Sequence, residues 1–291
     1  PDFDTYPHVA MAGIRAIATG QTRYNPPAGL PALRTALAED AGRRRGVSFT
    51  PDQIVVAPGA KPLLLLPMLA LLEPGDEVLY PDPGFPSYEA AIGLAEARPV
   101  PVPLVETCGF DLDLQALDDK ISPRTRMIIL NSPGNPTGGI LSAETLAHVA
   151  EMARRHDLWI LSDEIYLRLS YGETVPSIAS LPDMAARTVL VDGFSKTYAM
   201  TGWRLGFGVM PESLATKIGL LLTHSVGCTA TFTQLAGLEA VLGPQEMVDA
   251  VCAEFKRRRD LIVEGLNAIT GGHCLLTRGA VYVFPHVQAF A

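Results

Sequence analysis

The stretch TVLVDGFSKTYAMTGWRLG (residues 188–206) places one lysine, Lys196, just after a short apolar run that is typical of a buried strand. Ser195 precedes the lysine, and Arg204 follows it eight positions later. A lysine at the end of a buried strand can lose its proton and attack a carbonyl as an amine. An arginine with a serine nearby can anchor a phosphate. The stretch therefore suggests pyridoxal 5′-phosphate, although alone it also suits a solvated lysine in a turn.

Outward from this stretch, apolar runs of strand length alternate with helical patterns along most of the chain. The runs that precede residue 188 lie at 54–57, 77–80, 127–130 and 158–161, with a further strand-like run from Pro99 to Leu104. Helical patterns, such as Ala143 to Arg155, lie between them. This alternation predicts βαβ units on a mostly parallel sheet that is covered by helices. In such sheets ligands bind outside the carboxyl ends of the strands.

Polar or glycine-containing segments follow these runs, where a ligand would bind. They are Gly59-Ala60-Lys61, Phe85 in its turn, NSPGNPTG (131–138), SDEIY (162–166) and Ser195-Lys196. The backbone N–H groups at the helix start after Gly59 form an anion seat. Each segment alone has a structural explanation, since Asn-Pro-Thr-Gly forms turns and Asp163 could cap a helix. Their shared position predicts a single site at one edge of the sheet.

Composition limits the possible partners. The formal charge is −8 without a basic run, which argues against nucleic acid. The four cysteines lack the spacing of a zinc site or a disulfide framework, so we expect no metal and a cytoplasmic location. The apolar window 63–72 is too short to cross a bilayer, so no membrane partner is expected.

The last part of the chain changes character. A long helical pattern runs from Gln245 to about Ala268, and Gly271-Gly272 ends it. Strand-like runs at 273–276 and 280–284 follow. We interpret this part as the start of a second, smaller domain.

Ser-Lys with an arginine eight residues after the lysine, together with N-P-T-G and S-D-E-I-Y, resembles the class I/II aminotransferases among the fold-type I pyridoxal-phosphate enzymes, more narrowly their aspartate-aminotransferase-like branch. The resemblance extends from Pro1 to about Val287. It implies an α/β fold with a mostly parallel, mixed sheet sandwiched by helices. An N-terminal segment (1–30) with a helix and a dimer-facing loop would precede a large cofactor-binding domain (31–245). Residues 246–291 would begin a smaller α+β domain that is only partly present.

The resemblance also implies roles around the cofactor ring. Lys196 would hold pyridoxal 5′-phosphate as a Schiff base and move the proton between substrate and cofactor. Asp163 would pair with the protonated pyridine nitrogen. Tyr166 and Asn135 would donate hydrogen bonds to the ring's phenolate oxygen, and Phe85 would stack on the ring face.

Further residues are implied to hold the phosphate. They are Ser195, Arg204 and the backbone N–H groups of Ala60 and Lys61. Tyr24 would reach the phosphate of the neighbouring subunit. The implied active unit is therefore a homodimer with shared active sites.

The implied activity is ping-pong transamination between an L-amino acid and a 2-oxo acid. Phe85 stands where aspartate-preferring relatives commonly carry tryptophan, and a phenyl ring cannot donate a hydrogen bond to a carboxylate. The loop 225–228 offers no cation either. We therefore expect neutral or apolar donors to be preferred over aspartate, with 2-oxoglutarate or pyruvate as acceptor. The family's arginine for the substrate carboxylate is expected beyond Ala291.

Other functions share parts of this pattern. A β-lyase or an enzyme like aminocyclopropane-carboxylate synthase would keep Lys196, Asp163 and Arg204. A non-catalytic, aminotransferase-like effector domain of a transcriptional regulator would require a DNA-binding region before Pro1. A nucleotide-binding α/β protein is disfavoured, because neither a P-loop motif nor a dinucleotide-binding glycine motif follows a strand.

Overall fold

A computed structural model of the chain describes residues 2–172 and 174–287. Its helices are α1 (Pro7–Ala18), α2 (Pro31–Arg45), α3 (Lys61–Leu71), α4 (Ser87–Leu94), α5 (Leu114–Lys120), α6 (Ala143–Arg155), α7 (Phe194–Thr197), α8 (Glu212–Ser225), α9 (Thr231–Leu242) and α10 (Glu246–Asn267). Its strands are β1 (Ile54–Ala57), β2 (Glu77–Asp82), β3 (Arg98–Val105), β4 (Asp111–Leu112), β5 (Thr125–Asn131), β6 (Trp159–Asp163), β7 (Thr188–Gly193), β8 (Gly206–Val209), β9 (His273–Cys274) and β10 (Pro285–His286).

The larger sheet is mixed but mostly parallel. Within the described residues it has eight strands in the order β1-β8-β7-β6-β5-β2-β3-β4. The strands from β7 to β3 in this order pair in parallel. Strand β8 is antiparallel to both of its neighbours, and β4 is antiparallel to β3. The predicted α/β architecture of fold type I is confirmed.

Strand β1 shows how the sheet is covered on both faces. Val55 and Ala57 belong to a core cluster with residues of α3 and α8. Ile54 and Val56 belong to another cluster, with residues of α2 and α9. Successive side chains of a strand point to opposite faces, so an unbroken apolar run marks a strand that is buried on both sides. The bounds of β1 match the sequence prediction.

Local signals fix several helix ends. Pro7 and Pro31 begin α1 and α2, where the missing N–H costs nothing because the first turn has no partner for it. The Ser142 hydroxyl accepts the N–H of Thr145 at 3.0 Å and caps α6, whose bounds match the prediction. Gly46 ends α2 with a φ of 68°, in the left-handed region that glycine adopts without strain.

The predicted strand from 280 to 284 is wrong. In the smaller sheet β9 pairs with β10, which begins only at Pro285. Ala280 has a left-handed φ of 59°, and its N–H donates to the carbonyl of Leu169 at 2.9 Å. The Tyr171 hydroxyl donates to the carbonyl of Ala280. These bonds attach the segment to the residues after β6, so its backbone is not free to pair with β9.

A buried arginine ties two central strands together at their carboxyl ends. Arg45 Nε lies 2.6 Å from Glu164 Oε2, just after β6, and Arg45 Nη2 lies 2.8 Å from Asp192 Oδ2 on β7. The hydroxyls of Ser162 and Ser177 donate to the other oxygen of Glu164. Buried charges are tolerated when they are paired and hydrogen-bonded in this way. The network fixes the strand ends from which the predicted site residues project.

Residues 246–287 contribute α10 and the small sheet, and the division into an N-terminal segment, a large domain and a small domain stays a prediction. Across residues 2–172 and 174–287, none of the helices combines the length and apolar character that a membrane span requires.

Candidate active site

The carboxyl ends of the central strands and the start of α3 enclose a cavity of about 250 Å³. This volume is many times that needed by one water molecule. The predicted site residues on its wall are Ala60, Lys61, Phe85, Asn135, Asp163, Tyr166, Ser195, Lys196 and Arg204. Tyr24 does not line the cavity, and its side chain is 99% exposed. The structure thus brings together every predicted site residue except the one expected to act on a partner subunit.

Asp163 ends β6 and is buried at the cavity wall. The hydroxyl of Tyr88, itself fully buried, donates to Asp163 Oδ2 at 2.8 Å. The N–H of Ile165 donates to Oδ1 at 3.2 Å. Burial raises the pKa of Asp163 to about 6, although both hydrogen bonds lower it. A buried carboxylate of this kind is stabilised in its ionised form by a positively charged group placed opposite it.

Asn131, at the end of β5, connects the Asn-Pro-Thr-Gly loop to the end of β6. Its side-chain N–H donates to the carbonyl of Asp163 at 3.0 Å. Its side-chain oxygen accepts the N–H of Asn135 at 2.7 Å. The asparagine therefore fixes the position of Asn135 relative to Asp163 through main-chain contacts.

Lys196 lies in α7, which begins directly after β7. Its Nζ lies 5.8 Å from the centroid of the Tyr166 ring. Burial, and then the positive charge of Arg204, lower the pKa of the Lys196 amine below its ordinary value. A lowered pKa increases the fraction of free amine near neutral pH, and the free amine is the nucleophilic form.

Two glycines let the start of α3 approach Arg204 closely. Gly59 has a φ of 88°, and a Cβ there would overlap the Arg204 guanidinium. A Cβ on Gly206 would lie 2.5 Å from the backbone nitrogen of Ala60. Arg204 Nη1 donates to the carbonyl of Thr201 at 2.8 Å, which holds the guanidinium in place. A guanidinium beside a helix start combines two features that bind phosphate.

Aromatic side chains form the remaining wall. The ring of Phe85 meets that of Tyr88 edge to face at 5.7 Å. Lys61 Nζ lies 5.6 Å from the centroid of the Phe85 ring. The hydroxyl oxygens of Tyr166 and Tyr282 are 2.7 Å apart. Burial raises the pKa of the Tyr166 phenol, so this residue stays a neutral hydrogen-bond donor at neutral pH.

This set of groups fits pyridoxal 5′-phosphate. An aldehyde requires an amine, which Lys196 offers, and a basic ring nitrogen requires a carboxylate, which Asp163 offers. A phosphate requires a guanidinium, a hydroxyl and N–H groups, which Arg204, Ser195 and the start of α3 offer.

Sequence reasoning missed two tyrosines of this site. Tyr88 could have been found through its nearness in sequence, because it follows Phe85 by three residues and stands at the start of α4. Nothing in the sequence marked Tyr282 as a site residue, because residues 280–284 were predicted to form a strand of the second domain.

Both the sequence and the structure of the chain are similar to those of known proteins. The sequence profile described as "Aminotransferase class I and II" matches residues 1–290. The probable aspartate/prephenate aminotransferase of Aquifex aeolicus is 41% identical over 295 residues, which cover 100% of this chain and 75% of that protein. The aspartate aminotransferase of Rhizobium meliloti is 40% identical over 287 residues, which cover 98% of this chain and 70% of that protein. The aromatic aminotransferase of Pyrococcus horikoshii superposes with a TM-score of 0.96 at 38% identity, covering 99% of this chain and 78% of that one.

Proposed function

Because the chain belongs to the class I and II aminotransferases, which depend on pyridoxal 5′-phosphate, we propose that it moves an amino group from a neutral or apolar L-amino acid to a 2-oxo acid. The acceptor would be 2-oxoglutarate or pyruvate, and the two half-reactions would follow ping-pong order. The observation that supports the preference over aspartate is a phenyl ring, that of Phe85, on the cavity wall. Four free cysteines support a cytoplasmic location.

The supply of cations also bears on the substrate. Among the described residues that line the cavity, the lysines and arginines are Lys61, Lys196 and Arg204. We assign Lys196 to the cofactor aldehyde and Arg204 to the phosphate. The ammonium of Lys61 lies over the face of Phe85, and this contact directs its charge toward the ring. An amino-acid donor with a second carboxylate, such as aspartate, would thus pair with the Lys61 ammonium only after this ammonium had left the Phe85 ring.

When bound, pyridoxal phosphate supplies an electron-accepting ring that stabilises negative charge at the substrate α-carbon. Side chains of this chain would bind and orient the cofactor and transfer the proton. Asp163 would hold a proton on the ring nitrogen, and Tyr166 and Asn135 would donate hydrogen bonds to the ring oxygen. Phe85 would pack on the ring face. Lys196, once free as an amine, would remove the proton from the substrate α-carbon and deliver it to the cofactor.

We assign the active unit to a homodimer. Exposed apolar residues Ile14 and Ile17 of α1 line a groove of about 780 Å³ that shares Arg204 with the cavity. A second copy of the chain covering this groove could bring its Tyr24 to the phosphate seat. The almost complete exposure of Tyr24 is consistent with this arrangement, because its ring makes almost no contact within its own chain.

The test is a comparison of initial rates for the purified protein with 2-oxoglutarate. We expect leucine, methionine, phenylalanine or alanine to give a higher kcat/KM than aspartate. Turnover of aspartate far above that of these donors would contradict the preference, and its loss in Lys61→Met would then identify the responsible cation. Release of pyruvate and ammonia without an oxo-acid acceptor would instead indicate a β-lyase.

A further inference from the structure

Tyr282 faces the cavity from a part of the chain that contributes none of the residues assigned above. Its ring meets that of Tyr166 edge to face, with centroids 5.7 Å apart, and the two hydroxyl oxygens are 2.7 Å apart. Tyr282 also lines an adjoining cavity of about 260 Å³ that shares Lys196 with the first one. Tyr282 therefore lines both cavities, as Lys196 does.

The backbone around Tyr282 is fixed by hydrogen bonds on both sides. The Thr277 hydroxyl donates to the carbonyl of Tyr282 at 3.2 Å. The N–H of Ala280 donates to Leu169, three residues after Tyr166, at 2.9 Å. These contacts hold the segment of Tyr282 against the segment of Tyr166. The backbones that carry the two tyrosines are thus held close to each other, at a separation that lets their hydroxyls meet.

Hydrogen counting restricts what the two phenols can do together. Each hydroxyl carries one hydrogen and can accept through its oxygen. If Tyr166 donated to Tyr282, it would have no hydrogen left for a group in the cavity. If Tyr282 donates to Tyr166, the hydrogen of Tyr166 is free to point into the cavity. A donor that also accepts is polarised, so its own donated bond becomes stronger.

Building on the proposed function, we propose that Tyr282 is a positioning residue whose hydroxyl donates to Tyr166 and directs the Tyr166 hydrogen to the cofactor's ring oxygen. It acts through Tyr166 and needs no contact of its own with the cofactor. The segment that carries Tyr282 would thereby belong to the hydrogen-bond network of the cofactor.

The experiment is a pH titration of the visible absorbance of the cofactor-loaded protein, for the wild type, Tyr282→Phe, Tyr166→Phe and the double variant. Donation to the ring oxygen stabilises its negative charge and so lowers the pKa of the chromophore. We expect Tyr282→Phe to raise this pKa by roughly 0.3 to 1 unit, and Tyr166→Phe to raise it more. In the Tyr166→Phe background, Tyr282→Phe should add no further shift.

Tyr171→Phe is the matched control, because the Tyr171 hydroxyl holds the same segment through Ala280 without touching Tyr166. It should leave the chromophore pKa unchanged. An unchanged pKa in Tyr282→Phe, an equal shift in Tyr171→Phe, or a full additional shift in the double variant would overturn the proposal. If the wild type forms no visible chromophore at all, the proposed function itself fails.

Discussion

At the scale of single residues, Asp163 shows how burial prepares a group for its partner. A carboxylate with 5% exposure is costly to ionise, and the hydrogen bonds from Tyr88 and the Ile165 N–H only partly offset that cost. A cationic group placed beside it would remove much of the penalty. We therefore expect the ionised Asp163 to lower the free energy of unfolding of the cofactor-free protein around neutral pH.

This leads to a prediction on Asp163→Asn in the cofactor-free protein. The folded pKa of about 6 lies above the ordinary 3.8, so protonation stabilises the fold below pH 4, and this contribution is lost as the pH rises through 6. We expect Asp163→Asn to raise the free energy of unfolding at pH 8 by at most about 3 kcal/mol, which is the pKa shift from 3.8 to about 6 converted at about 1.4 kcal/mol per unit. The gain is reduced by the loss of the hydrogen bond from the Ile165 N–H, which the amide nitrogen cannot accept. The asparagine oxygen can still accept from Tyr88.

Denaturant titration of both proteins at pH 8 and pH 4 measures this effect. The gain should nearly vanish at pH 4, where the aspartate is also neutral. A variant that is less stable than the wild type at pH 8 would show that Asp163 is not strained in the absence of a cofactor. With the cofactor added, the same variant should lose most of its turnover.

At the scale of elements, the start of α3 depends on a glycine that leaves room for an arginine. A Cβ on Gly59 would overlap the Arg204 guanidinium and would also strain a backbone with a φ of 88°. Gly75, in the loop before β2, has a nearly equal φ of 86° but open space around it. Alanine substitutions at these two positions therefore distinguish the effect of backbone strain from an effect on the phosphate site formed by Arg204 and the start of α3.

We predict that Gly59→Ala weakens the binding of pyridoxal 5′-phosphate at least about tenfold, because the displaced guanidinium loses its place at the helix start. Gly75→Ala should lower stability by roughly 1 kcal/mol through strain alone and leave the affinity unchanged. Cofactor titration followed by absorbance gives both affinities. Equal affinities for Gly59→Ala and the wild type would exclude the phosphate seat assigned here.

The sequence predicted elements well where one local signal dominated. The unbroken apolar run of β1 and the serine cap of α6 gave their bounds, and the rule on strand ends predicted where polar residues gather. The strand at 280–284 failed, because its apolar pattern fits a strand while its backbone is held by Leu169 and Tyr171. The hydrogen bonds of Tyr88 and Tyr282 join distant parts of the chain, and no periodic pattern reports such contacts.

At the scale of the whole molecule, the exposed apolar face of α1 predicts association. Ile14 and Ile17 are 57% and 53% exposed beside the groove that shares Arg204 with the cavity. We expect the protein to sediment as a dimer, and Ile14→Glu to weaken the dimer at least about 30-fold, near 2 kcal/mol, because it places a charge in an apolar contact. Leu94→Glu, at an exposed leucine of α4, is the control.

Sedimentation velocity over a range of concentrations distinguishes the outcomes. A monomeric wild type, or equal dissociation of the two variants, would contradict the assigned interface. If Tyr24 reaches the partner's phosphate, Ile14→Glu should also bind the cofactor more weakly, whereas Leu94→Glu should bind it as the wild type does.

The most direct test is to locate the covalent bond between the protein and pyridoxal 5′-phosphate. After addition of the cofactor, borohydride reduction and digestion, the added mass should lie on the peptide that contains Lys196. The visible band should be absent in Lys196→Ala and retained in Lys61→Ala, the neighbouring lysine on the same wall. A label on Lys61, or an unchanged band in Lys196→Ala, would contradict the central claim.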